Sequence, residues 1–61
     1  MAYERYKELR DEKGITDYKV SKETGVSTAT LTSWKKNIYT PKVNKLQKIA
    51  DFFGVSITEL L

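Results

Sequence analysis

Thr28, Ala29, Thr32, Ser33 and Lys36 are spaced so that a helix of 3.6 residues per turn carries them on one face. The chemistry of that set is recognition. Ser and Thr hydroxyls donate or accept at several base edges of a DNA major groove. Thr and Ala methyls pack on thymine, and short side chains in the first turn let a helix approach closely. The plainer use of the same residues is to solvate an exposed face. Arg, Gln and Asn are absent from residues 28–36, so the strongest bidentate base pairings are missing. Specificity in such a surface leans on DNA shape.

Cations flank this stretch. From Thr24 to Ala50 there is no acidic residue, while Lys35, Lys36, Lys42, Lys45 and Lys48 fall inside that window. The net charge is only +3, so its distribution matters more than its size. A basic field over one face suits a polyphosphate, because each neutralised phosphate releases condensed counterions. Lys35, Lys36, Asn37, Tyr39 and Lys42 are the phosphate-contact candidates. Thr16 and Ser27 join them if they lie at helix N-termini, where capping alone is the competing role. Lys45 and Lys48 suit either phosphates or plain solvation.

Local signals say which elements hold these residues. Thr16 and Ser27 each precede a run that reads as helical, about 17–24 and 28–36, and Gly25 supplies the left-handed corner between them. Val20, Val26, Leu31 and Trp34 face inward across that corner, and Ser21 is small enough for close crossing. This is the pattern of a helix-turn-helix, about 17–36. Trp34 reads as core rather than as a base-stacking platform; Tyr18 falls on the outer face.

Three further helices complete an all-α reading. The first spans about 3–13, with Tyr6 and Leu9 on one face, the stems of Arg10 and Lys13 continuing it, and Gly14 as its stop. Ile15 then enters the core. Asn37 closes the third helix in a left-handed cap, and Pro41 breaks the loop from Ile38 to Lys42. The fourth spans about 43–53, with Val43, Leu46, Ile49, Ala50 and Phe53 at spacings of three and four, and Gly54 ends it. Ser56 with Glu59 spells a capping box, predicting a short fifth helix that holds Ile57, Leu60 and Leu61. Phe52, Ile57 and Leu61 are candidates for a two-fold contact, with core sealing as the alternative.

With the elements in order, the sequence resembles the phage repressor and Cro family of helix-turn-helix proteins, the XRE-like group. The resemblance rests on Leu9-Arg10, Lys13-Gly14-Ile15-Thr16, Gly25-Val26-Ser27, Leu31 with Trp34, Pro41, and Leu46-x-x-Ile49-Ala50-x-x-Phe53-Gly54-Val55-Ser56. It covers about residues 6 to 61. It implies a compact lambda-repressor-like domain of four or five helices, five being drawn here, that regulates transcription by binding operators as a dimer. Four positions depart from the pattern. Asp17 replaces a glutamine that touches a phosphate and is expected to repel that phosphate. Lys35 replaces an acid that pairs with the arginine matching Arg10, so that pair is lost. Asn37 replaces a glycine, and Ile38 a lysine.

Length and composition close off other classes. Sixty-one residues allow one domain, here 1–61, near the lower limit for folding without disulfides or metal. With neither Cys nor His, thiol nucleophiles, disulfides, Cys or His zinc sites and imidazole catalysis are excluded. An enzyme is not expected, nor a metal, a cofactor or a small-molecule substrate. No apolar run nears the roughly 18 residues of a membrane span, and Met1-Ala2-Tyr3-Glu4-Arg5 lacks a signal-peptide core, so a cytoplasmic protein is expected. Two functions remain: a double-stranded-DNA-binding regulator acting as a homodimer, or a protein-interaction module on the same fold, antitoxin-like or an anti-repressor partner.

Overall fold

The computed structural model describes residues 2–61. Four α-helices, α1 (Ala2–Lys13), α2 (Asp17–Thr24), α3 (Thr28–Lys35) and α4 (Val43–Phe53), are followed by a 3₁₀ turn at Ile57–Leu60. No strand occurs among the described residues, and no described helix is long and apolar enough to cross a membrane.

The α2–α3 corner forms through the local chemistry its residues predict. Thr16 Oγ1 accepts from the Lys19 amide at 3.2 Å and Ser27 Oγ from the Thr30 amide at 3.1 Å, each satisfying an otherwise orphaned first-turn donor. Gly25 takes φ 79° and its amide donates to the Ser21 carbonyl at 2.8 Å. A side chain there would be strained by the left-handed backbone. Thr24, buried beside it, donates its hydroxyl to the Val20 carbonyl at 2.7 Å and accepts from the Val26 amide at 3.2 Å. A buried hydroxyl thus stitches the corner, both donating and accepting.

The core beneath is rich in aromatic rings. Tyr3, Tyr6 and Leu9 of α1 meet Val20, Val26, Leu31 and Trp34, with Leu46, Ile49, Ala50 and Phe53 of α4 and Leu60 closing the set. The ring of Trp34 lies 5.5 Å from that of Tyr3, edge-on, and 5.4 Å from that of Tyr6; Phe53 stands edge-on to Tyr6 at 6.0 Å. Such offset and edge-to-face pairs add to the burial of their large apolar area. Trp34 is core, as its place on α3 predicts.

Three expectations are corrected. The described residues form four α-helices rather than five, because the last element is a single 3₁₀ turn of four residues, too short for a ladder of i to i−4 bonds. Its capping box does not form either. Ser56 accepts from the Thr58 amide at 3.3 Å, and Glu59 reaches across to Arg5 on α1 at 2.7 Å. Val43, expected in the core stripe, is 65 % exposed, while Pro41, two residues before it, is buried.

Candidate nucleic-acid interface

The outer face of α3 is built from short, uncharged residues. Thr28, Ala29 and Thr32 are exposed, Ser33 is partly covered, and Lys36 is exposed where the helix ends. The sequence-predicted base-reading residues therefore share one surface, while Leu31 and Trp34 anchor the opposite side of the helix. Thr30 lies between the two faces and is spent locally: its hydroxyl and that of Ser27 share a hydrogen bond of 2.9 Å.

Beyond α3 the chain is turned by Asn37, the non-glycine residue with positive φ, at 59°. Its amide donates to the Trp34 carbonyl at 3.0 Å, and the Ile38 amide to the Ser33 carbonyl at 2.9 Å. This pair of bonds satisfies the last carbonyls of α3. It also projects Lys35, Lys36, Asn37, Ile38 and Tyr39 outward; all five are exposed. Lys42 follows as the N-cap of α4, where no side chain bonds the first amides and no acid lies in the first turn. Lys42 and Lys45 there oppose the helix dipole, an arrangement that an anion relieves. Lys45 was open to plain solvation in sequence terms. The signal for this site is the missing Ser, Thr, Asp or Asn at position 42.

Among the described residues every ion pair lies in α1, α2 or the 3₁₀ turn, and none engages Lys35, Lys36, Lys42, Lys45 or Lys48. The five lysines of the acid-free window keep their ammonium groups for solvent or a partner. Thr16 and Ser27 remain exposed while capping; the Thr16 hydroxyl accepts from Lys19, which leaves its proton to donate.

Asp17 behaves differently from expectation. Its Oδ1 accepts from Arg10 Nη1 at 2.9 Å and from the Tyr6 hydroxyl at 2.6 Å. Arg10 also reaches Asp11 Oδ1 with Nε at 3.2 Å and Nη2 at 3.1 Å, and lies over the Tyr6 ring at 5.8 Å from its centre. The hydrogen bond to Asp17 is the chief reason the Arg10 guanidinium is held protonated even more firmly than usual. Asp17 is therefore a bridge from α1 to the start of α2, not a free charge facing a phosphate. Residues at positions 6, 10 and 17 meet only in the folded chain, so no local spacing announced this node.

A helix-turn-helix family model matches residues 7–60. The chain belongs to the helix-turn-helix family. Its similarity to the phage repressor and Cro group is matched by a curated relative, the cryptic phage CTXphi transcriptional repressor RstR of Vibrio cholerae. The two are 32 % identical over 57 residues, which cover 93 % of this chain and 51 % of that protein. The chain thus spans about half the length of that relative. No solved structure matches it. Of the residues expected at a two-fold contact, Leu61 is 68 % exposed. Phe52 and Ile57 are partly buried against the core of this helix-turn-helix domain, with the Lys13 ammonium over the Phe52 ring at 5.9 Å.

Proposed function

We propose that this chain is a single domain that binds double-stranded DNA and regulates transcription in the cytoplasm, as a homodimer with one α3 in the major groove of each operator half-site. The observation that carries this reading is the outer face of α3: short, uncharged and exposed, bordered by lysines that no carboxylate neutralises. In this arrangement Thr28, Ala29, Thr32, Ser33 and Lys36 face base edges. Lys35, Lys36, Asn37, Tyr39 and Lys42, with the capping hydroxyls of Thr16 and Ser27, hold the phosphates on either side. Leu61, with the exposed parts of Phe52 and Ile57, is the two-fold contact. The role is recognition rather than catalysis.

Titration against duplex DNA at several salt concentrations tests it. A dimer meeting about seven phosphates, some through amides and hydroxyls that release no ions, gives a log–log salt slope between roughly −3 and −6. A slope near zero overturns the reading. A repelling charge at Asp17 and the absence of bidentate readers would favour the competing protein-interaction module. The first ground is removed by the bond from Arg10 to Asp17, and a flat titration is the result that would select it.

A further inference from the structure

From Thr24 to Trp34 the chain carries no charged side chain, and the polar capacity of α3 is partly consumed by its own cap. The Ser27 and Thr30 hydroxyls bond each other at 2.9 Å, with Ser27 also holding the Thr30 amide. Ser33 is partly buried, and its carbonyl accepts a hydrogen bond from the Ile38 amide. Among the uncharged residues of α3, Thr28, Ala29 and Thr32 remain exposed. Each presents a methyl group, at positions separated by one, three and four residues, and therefore on one patch. Apart from its methyl group, thymine shows the major groove only a single acceptor, and Ala and Thr methyls are its natural apolar contacts.

We propose that α3 recognises thymine through its C5 methyl group, with Thr28, Ala29 and Thr32 as the specificity-determining residues, so that the core of the preferred half-site is rich in thymine. The proposal rests on the DNA-binding reading above and adds the class of base read. Ala29 sets the depth of approach, and the γ-methyls of Thr28 and Thr32 flank it. Lys35 and Lys36 lie together at the C-terminal end of α3, so discrimination by charge is confined to one edge of the half-site.

The test uses the full chain. Bound sequences are selected from random duplexes, and each thymine of the preferred site is replaced in turn by deoxyuridine, which removes the methyl and nothing else. Loss of one buried methyl should weaken binding by about fourfold at each thymine facing α3, and not at thymines outside the half-site core. In a Thr28→Ser, Thr32→Ser variant, which keeps both hydroxyls, the deoxyuridine penalty opposite those residues should vanish. An undiminished penalty in that variant overturns the residue assignment. Losses below about twofold at every thymine, in duplexes still bound with a steep salt dependence, overturn the proposal while DNA binding stands. Absence of binding to any duplex overturns the DNA-binding reading itself.

Discussion

Arg10 and Asp17 are joined at 2.9 Å, and the carboxylate oxygen that receives the guanidinium also receives the hydroxyl of Tyr6. The Arg10 side chain is only 17 % exposed and Tyr6 is fully buried, so the two donors depend on this one acceptor for much of their satisfaction. Helix α1 is thereby tied to the first residue of α2 by a charged hydrogen bond.

Removing the acceptor should be costly. Asp17→Ala strands a buried hydroxyl and loosens a half-buried cation, at a cost of about 2 to 3 kcal/mol. In a domain of this size each 1 kcal/mol lowers Tm by roughly 4 to 8 °C. Thermal unfolding followed by circular dichroism should show a fall of about 10 to 20 °C. A fall under about 3 °C would mean that Asp11 alone satisfies Arg10 and that the pin to α2 adds little.

Lys35→Glu separates two accounts of the basic surface. If Arg10 lacked a partner, an acid at position 35 would restore one and raise Tm. Arg10 is instead held between Asp11 and Asp17, so the substitution should leave Tm unchanged or slightly lower, since it also places an acid at the C-terminal end of α3. It should weaken DNA binding and, with one Lys35 lost from each subunit of the dimer, reduce the salt slope by about two. A clear rise in Tm would show that Arg10 exchanges partners more freely than its two carboxylates suggest.

The corner of the fold was legible because its causes are local. Thr16, Gly25, Ser27 and Asn37 act on amides and carbonyls within four residues, so their types reveal their roles before the chain is folded. Val43 departs from its expected place because periodicity cannot distinguish a first-turn residue over the core from one at the edge of it. The Ser56–Glu59 pattern misled because Arg5, 54 residues away, competes for the glutamate. The membership of the α3 face was likewise readable from spacing. The consumption of the Thr30 hydroxyl and the neutralisation of Asp17 required neighbours in space.

The two sides of α3 should respond differently to substitution. Ala29→Glu places a long anion on an exposed position, so helical content and Tm should hold while duplex binding is lost. Trp34→Ala removes a ring that touches Tyr3 and Tyr6 and should cost about 3 to 5 kcal/mol, most of the stability expected of so small a domain. Its circular dichroism should be largely that of an unfolded chain at 25 °C. An Ala29→Glu protein that binds duplex DNA normally would move the interface off α3.

Tyr6 supplies a pH signature of the same node. Burial first, and then its hydrogen bond to Asp17, raise the ionisation of its hydroxyl well above the ordinary value near 10. In the unfolded chain Tyr6 ionises at that ordinary value, so above pH 10 the unfolded state releases a proton that the folded state retains. The stabilising contribution is therefore complete below pH 10 and is lost as pH rises toward the folded value, at about 1.4 kcal/mol per pH unit. Tyr6→Phe keeps the ring and removes the titration. It should be less stable by about 1 to 2 kcal/mol at pH 7 through loss of the bond to Asp17, yet its stability should fall less steeply between pH 10 and 12. Urea unfolding at half-unit pH intervals measures both slopes, and the difference between the two proteins isolates Tyr6. Parallel curves would mean that Tyr6 ionises in the fold as freely as in solution, and the hydroxyl would then not be the buried donor to Asp17 described above.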